Sequence, residues 1–354
     1  MIGWTRRHWL RLPLLALGAQ SVAQADVRRR PLVFPTDFGA HPDTRTEWWY
    51  VTGRLDTATR THGFQVTFFR SRTDVAASHP SRFAATQLVF AHAAVTDMER
   101  RRLRHDQRIA RAGFGIAQAS EQNARLRLRE WSLVRERDAW HAMLPAAGFG
   151  LDLRCTPTQP VLLQGKLGLS RKGPLPEQAS HYYSQPQLAV SGTLSLDGRR
   201  EPVSGRAWMD HEWSEAYLAP QARGWDWLGM NLDDGSALMA FRIRLADGSA
   251  LWAGGSFRSP GAPARSFASD EVVFTPGRRW TSPLTQGAYP VEWTVETPAG
   301  RWGVRARLDA QELDSRASTG SAYWEGLSEL TDAGGRPVGR GYLEMTGYAG
   351  RLRL

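Results

Sequence analysis

Apolar and polar residues alternate along most of this chain. Gln65 and Thr67 separate Phe64, Val66 and Phe68, and Ala240, Arg242 and Arg244 separate Met239, Phe241, Ile243 and Leu245. The same period runs through Val291, Trp293 and Val295, and through Trp302, Val304, Ala306 and Leu308. A period of two puts successive side chains on opposite faces of an extended backbone, so these segments are predicted to be half-buried strands. Asp197-Gly198, Asp234-Gly235 and Asp247-Gly248 supply the residue pairs that tight hairpins require, and Gly334-Gly335 marks a further turn. Helical spacing is found only from Glu99 to Ala112, which predicts one short helix there. Many strands with tight turns and few short helices imply an all-β fold of sandwich or barrel type. The strand-like Gln187–Leu196 segment ends before Gly205. A boundary there gives one unit over residues 30–205 and a second over 206–354, each the size of a small antiparallel barrel.

The first 25 residues are expected to lie outside the fold. Arg6, Arg7 and Arg11 form a basic start, Leu10 to Leu17 a short apolar core, and Ala23-Gln24-Ala25 a small-x-small cleavage site. This is the pattern of a secretory signal, too short to span a membrane. Thr5-Arg6-Arg7-His8-Trp9-Leu10-Arg11 reads as its twin-arginine form. The mature chain is therefore expected in the periplasm or outside the cell. Its single cysteine, Cys155, rules out an intrachain disulfide and a thiolate metal cluster, and is expected to be a small buried apolar group.

The formal charge is +10, carried almost wholly by arginine, since Lys166 and Lys172 are the only lysines. The arginines are scattered among acids and form no phosphate-tracking stripe, so no nucleic-acid partner is expected. The one dense run is Arg100-Arg101-Arg102 with Arg104, Arg108 and Arg111. A solvated face is its default reading, with contact to anionic lipid headgroups as the sharper one.

The densest chemistry lies in G-R-A-W-M-D-H-E-W-S, Gly205 to Ser214, which sets Asp210, His211, Glu212 and Trp213 side by side. Trp225-Asp226-Trp227 follows, Glu47-Trp48-Trp49-Tyr50 precedes it, and Tyr323-Trp324-Glu325-Gly326 comes late. Charged groups among indoles are open to large pKa shifts, because burial penalises their charged forms. Buried indoles and phenols also need acceptors, so Trp–carboxylate hydrogen bonds that seal the barrel ends explain the same pairs. If Trp208 to Trp213 is extended, Asp210 and Glu212 share one face while His211 and Trp213 share the other. His211 and Trp213 are then expected to form one wall of a cavity. Adjacent strand residues diverge, so a metal would need Asp210 and Glu212 together with His41, His62 or His92, and none is expected. No G-x-S-x-G elbow, HExxH, P-loop or dinucleotide fingerprint occurs, and no cofactor is expected.

Several motifs in order carry a family resemblance: F-P-T-D-F-G-A-H-P-D with E-W-W-Y-V-T-G (Phe34–Gly53), Y-Y-S-Q-P (Tyr182–Pro186), the D-H-E-W segment, G-W-D-W (Gly224–Trp227), Y-W-E-G (Tyr323–Gly326) and G-Y-L-E-M-T-G-Y (Gly341–Tyr348). Over essentially the whole mature chain, the sequence resembles the AttH-type, carotenoid 1,2-hydratase-like lipocalin family. The resemblance implies two lipocalin-like antiparallel β-barrel domains packed together, the first ending near D-H-E-W. It implies a lipid or isoprenoid ligand and an inner-membrane transporter permease as partner. It also marks His211 and Trp213 as the family's His-x-Trp positions.

Hydrating an isoprenoid double bond needs an acid that protonates an alkene, indoles that stabilise the cation and a base for water. The family's further carboxylate and tyrosine on the following strand are missing from Leu238 to Leu245. Asp226, between Trp225 and Trp227, is the candidate replacement.

Two functions are carried forward. The first is an exported binder of a lipid or isoprenoid, working with a transport or envelope system. Trp48, Trp49, Glu47, Asp210, Tyr183, Trp213, Trp225, Trp227, Trp324 and Glu325 are then its ligand-contacting residues. The second is a hydratase- or hydrolase-type enzyme with His211 as base, Asp226 or Glu212 as acid, and Trp213, Trp225 and Trp227 as the cation-stabilising wall.

Overall fold

A computed structural model of the chain describes residues 29–76 and 78–351, so the signal segment lies outside the described residues. The protein is all-β, and the only helical elements described are two single 3-10 turns, Thr36–Phe38 and Ser269–Glu271. Thirteen strands form the first sheet, with every pairing antiparallel. It runs from Arg102–Arg111 through Gln87–Asp97, Thr61–Arg72 and Thr46–Asp56 to Arg199–Ser214, Ala179–Leu196 and Phe149–Thr156. Shorter hairpins extend it until its ends approach each other, which makes a nearly closed barrel. The second sheet is built around Ala237–Arg244, Gly224–Leu232, Pro337–Met345 and Ala322–Thr331.

Hairpin chemistry follows the sequence closely at Asp197-Gly198, where both residues take positive φ (50° and 79°) and join Ala179–Leu196 to Arg199–Ser214. That turn form matches the twist of the strands it connects. The helix expected at Glu99 to Ala112 is instead a turn closed by Arg101 at φ 51°, followed by the strand Arg102–Arg111. This strand lies at the sheet edge and most of its residues are half-exposed on both faces, so neither period stands out in its sequence.

The first sheet also extends past the expected boundary at Gly205. Residues Ser204 to Ser214 pair with Asp56 to Thr46 along their whole length, and the second sheet begins only at Gly224. The two sheets pack back to back. Apolar residues therefore fall into three layers: the inside of each barrel and a seam of outward-facing residues between them, including Tyr50, Tyr182, Trp208, Trp227 and Phe241. This packing explains why the Thr46–Asp56 and Arg199–Ser214 strands are buried on both faces where the seam covers them.

Candidate functional site: a cavity between the two sheets

Alternation along Arg199–Ser214 divides the D-H-E-W motif between two compartments. Trp208, Asp210 and Glu212 face the seam, and Met209, His211 and Trp213 face the interior of the first barrel. Register places Tyr50 and Ser184 on either side of Asp210, and Trp48 and Tyr182 on either side of Glu212. Across the seam, Trp225 and Trp227 approach from the Gly224–Leu232 strand. Tyr323 and Glu325 come from Ala322–Thr331, and Glu344 from Pro337–Met345. Together these side chains enclose a cavity of about 190 Å³, walled further by Phe69, Phe90 and Tyr217.

Four carboxyl groups reach this mostly aromatic space: Asp210, Glu212, Glu325 and Glu344. Burial pushes Asp210 up to about 7, against the pull of hydrogen bonds from Ser184 Oγ (2.5 Å), Tyr182 Oη (2.7 Å) and Trp208 Nε1 (2.7 Å). Burial also pushes Glu344 up to about 8, although Trp225 Nε1 donates to it at 3.0 Å. Glu325 is held well above the carboxylate range by burial and by repulsion from Glu344, which the Tyr50 and Tyr323 hydroxyls offset only in part. Glu212 is raised by burial too, but the ammonium of Lys172 sits 2.8 Å from its Oε1 and Ser180 Oγ donates to the same oxygen. The Lys172 ammonium in turn lies 4.1 Å from the Phe241 ring centroid and 4.7 Å from that of Tyr182. The cavity thus holds three carboxyl groups raised by desolvation beside a fourth, Glu212, that has a buried ammonium as its partner; burial lowers that ammonium as it raises Glu212. Environments that separate pKa values in this way assign acid and base roles. The phenols of Tyr50, Tyr182, Tyr217 and Tyr323 are all raised well above the usual range by burial and remain neutral donors.

His211 does not line this cavity, and neither does Trp213, which corrects the expected shared cavity wall. Both face the filled interior of the first barrel. His211 Nε2 lies 2.9 Å from Glu47 Oε1, and its Nδ1 lies 3.0 Å from the Tyr183 hydroxyl. Burial pushes the imidazole down to about 4, so it is neutral, donating to Glu47 and accepting from Tyr183. Trp49 stacks on it at 4.4 Å between ring centroids, and Trp213 stacks on His41 at 3.8 Å. His41 Nδ1 is 2.7 Å from the same Glu47 oxygen, and its Nε2 is 2.9 Å from Asp37 Oδ1. Arg70 Nε donates to the other Glu47 oxygen at 2.7 Å. Burial alone would raise Glu47, yet these imidazoles hold it well below the carboxylate range. Ligand-type atoms of His41, Glu47 and His211 lie within 4.8 Å of one another and form the donor set a divalent cation would use. The same atoms hydrogen-bond to one another and tie Thr46–Asp56 to Arg199–Ser214.

Asp226 is also placed elsewhere than expected. It points into the second barrel, fully buried, where Arg242 Nε lies 2.7 Å from it, Arg244 Nε 3.0 Å, and the Tyr348 hydroxyl 2.9 Å. It is an ion-pair hub, separated from the cavity by its own strand. Trp324 likewise faces inward and donates to the Asp309 carbonyl at 2.6 Å. Of the sequence candidates, the cavity brings together Trp48, Asp210, Glu212, Trp225, Trp227 and Glu325. It leaves Glu47, Trp49, Tyr183, His211, Trp213, Asp226 and Trp324 in the barrel interiors.

Glu344, Tyr50, Tyr182, Tyr217, Tyr323 and Lys172 are the functional candidates that sequence reasoning missed. Four of them lie inside motifs already singled out, and alternation would have selected Tyr50 with Trp48. Lys172 carried its own signal, as one of only two lysines in an arginine-rich chain.

A family model described as AttH-like matches residues 25–348. The structure is similar to that of a protein described as AttH from Nitrosomonas europaea, at 49% identity and TM-score 0.85, covering 90% of this chain and 98% of that one. It is also similar to kievitone hydratase from Nectria haematococca, at 13% identity and TM-score 0.69, covering 90% and 94%. A third likeness is to CghA, at 13% identity and TM-score 0.53, covering 88% and 90%. At those lower identities the likeness establishes the fold. No curated protein matches the chain in sequence.

Proposed function

The chain belongs to the AttH-like family, and from that premise we propose that it is an acid–base enzyme of hydratase type, acting on an apolar, alkene-bearing molecule of the lipid or isoprenoid class. The observation that carries this reading is the convergence of Asp210, Glu212, Glu325 and Glu344 on one aromatic-walled cavity. A pure binder of apolar ligands gains nothing from several desolvated carboxyls, each costly to bury. A catalyst that must protonate carbon needs a neutral acid in dry surroundings. Glu344 and Glu325 are the donors in this scheme, protonated at neutral pH. Trp48, Trp225 and Trp227 offer indole faces to the cation that forms. Glu212, whose upward shift the Lys172 ammonium opposes, accepts a proton from the water that attacks the cation. One proton passes from the donor carboxyl to the alkene and one from water to Glu212. Glu212 then gives up its proton and the donor regains one by exchange with solvent, so the net change is addition of water across the double bond.

Size limits the substrate. An engineered cavity of roughly 150 Å³ holds one benzene ring, so about 190 Å³ admits a terminal isoprene unit or a small ring, not a whole long polyene. The proposal includes export, read from residues 1–25, and exchange of the ligand with an inner-membrane permease.

Incubation with geraniol in D₂O, followed by mass spectrometry, tests the chemistry. Non-exchangeable deuterium in the recovered alcohol, lost in Glu344→Gln, is the expected result. Binding of geraniol without deuterium uptake would leave the ligand-carrier function, which the same cavity also supports. Neither binding nor exchange would overturn the assignment of this cavity.

A further inference from the structure

We propose that the barrel end formed by residues 73–76 and 78–86 and by the 112–117 turn is a docking surface for an anionic lipid bilayer. Among the described residues, the only large aromatic side chains exposed to solvent are Phe83 (65% exposed) and Phe114 (46%), and they lie together. Their rings stack at 5.5 Å with 9° between planes. Val75, Ile109 and Ile116 add exposed aliphatic groups from the same loop, turn and strand end. A contiguous exposed apolar patch marks an interaction surface, because a soluble protein otherwise keeps such groups inside.

The charge around the patch identifies its occupant. Arg111 lies over both rings, its guanidinium carbon 4.0 Å from the Phe114 centroid and 5.4 Å from that of Phe83. Arg82 flanks the same pair at 5.7 and 5.9 Å. Arg127 and Arg129 are exposed on the adjoining hairpin, where the Arg129 amide donates to the Ile116 carbonyl at 2.7 Å. Aromatic rings ringed by guanidinium groups complement the interface of a bilayer, rings at the acyl boundary and cations at anionic headgroups. A protein groove would more commonly offer acids to such cations at fixed positions; a headgroup layer accepts them in any arrangement.

The patch is continuous with the cavity. Register sets Phe69, Phe90 and Ile109 in one row across three strands, with Ser71, Leu88 and Arg111 in the next row on the same face. Phe69 and Phe90 stack at 4.7 Å and line the cavity wall, while Ile109 and Arg111 belong to the patch. An apolar molecule leaving the bilayer would meet this row first. The docking surface itself rests only on the exposed groups and does not depend on what the cavity does.

Flotation with vesicles tests the proposal, using phosphatidylcholine alone and phosphatidylcholine with about 30% phosphatidylglycerol. The full chain is expected to float with the anionic vesicles, far less with the neutral ones, and to be released by salt. Replacing both arginines (Arg82→Gln with Arg111→Gln) is expected to weaken binding about thirtyfold, at the per-residue worth of basic groups near anionic membranes. Phe83→Ser with Phe114→Ser should abolish flotation while leaving the thermal midpoint unchanged, because both rings are exposed. Equal flotation with both vesicle types, or undiminished flotation of either double variant, would overturn it. Specific capture of a protein by the patch without any vesicle binding would overturn it as well, in favour of a protein partner.

Discussion

Asp210 and His211 are adjacent in sequence and belong to different compartments: Asp210 faces the cavity between the sheets, and His211 the closed interior of the first barrel. Their substitutions should therefore separate. His211→Ala removes a partner from buried Glu47 and opens a void beside Trp49, and is expected to cost about 3–5 kcal/mol of stability. Asp210→Asn keeps the size of the side chain but turns one of its two acceptor atoms into a donor facing the donors Tyr182, Ser184 or Trp208. It should cost about 1–3 kcal/mol, less than the His211 variant, while disturbing proton transfer in the carboxyl cluster. Urea midpoints measured alongside deuterium exchange into geraniol would show the division. Loss of exchange in a well-folded His211 variant would return His211 to the chemistry.

Stability should fall with rising pH above neutrality. Glu344 has an ordinary value of 4.5 and is pushed up to about 8 in the fold. Between those values the folded protein holds a proton that the unfolded chain has released, so each pH step upward favours unfolding. Buried His92 and His211, lowered from 6.5 to about 3 and about 4, work in the opposite direction, but only below pH 6.5. From pH 6.5 to 8 the cavity carboxyls set the slope, about 1.4 kcal/mol per pH unit for each proton fully retained. Glu344→Gln should flatten this limb and melt higher than the parent at pH 8. Thermal midpoints across that range check it.

Lys172 is fully buried against Glu212, its ion-pair partner among the described residues. Lys172→Met should destabilise by about 3 kcal/mol, because Glu212 is left buried without its counter-charge. Adding Glu212→Gln should recover much of that loss, since a neutral amide beside a thioether leaves no charge in the seam. A double-mutant cycle in urea reads the coupling.

The strands, hairpins and seam-facing carboxylates were legible in the sequence because alternation is a strictly local signal. The split of Asp210 and Glu212 from His211 and Trp213 followed from that signal alone. Which of the two faces would be open did not. One face of a strand normally meets the core and the other water, so the inward face was the natural place for a cavity. Here the barrel interiors are filled, by Trp49, Trp131, Trp140 and Trp213 in the first and Trp324 in the second, and the open space lies where two outer faces meet. That meeting joins residues more than a hundred positions apart, such as Tyr50 and Trp227, whose rings lie 5.4 Å apart. No local pattern encodes it. The Arg102–Arg111 strand failed for the reverse reason, since an edge strand half-exposed on both faces has no dominant period.

Asp226 should behave as a stability residue. Asp226→Asn leaves Arg242 and Arg244 facing each other in the second barrel without their shared carboxylate. The expected cost is about 3 kcal/mol, with geraniol binding unchanged at temperatures where the variant is folded. Calorimetry and binding isotherms separate the two outcomes, and loss of binding in a folded variant would place Asp226 in the chemistry after all.

The cavity wall at Trp227 depends on a missing side chain. Gly229 is two residues along the same strand, so both point to the seam, and the Trp227 indole lies over the glycine. A Cβ on Gly229 would sit 2.5 Å from Trp227 Cη2 and 3.1 Å from Trp208 Cδ2, the first of which no real contact allows. Trp227 cannot slide sideways without giving up its Nε1 hydrogen bond to the Tyr182 hydroxyl, at 3.1 Å. That hydroxyl donates in turn to Asp210 at 2.7 Å. Gly229→Ala should therefore push the indole into the cavity and loosen the Trp227–Tyr182–Asp210 chain, at a cost of about 1–3 kcal/mol from overpacking. Geraniol binding should weaken more than the stability loss alone would suggest, because the displaced ring occupies the ligand's space. A pH profile of deuterium exchange should also shift upward in the variant, because the loosened Tyr182 hydroxyl no longer pulls Asp210 down. Unchanged binding and an unchanged profile would mean that Trp227 does not shape the cavity.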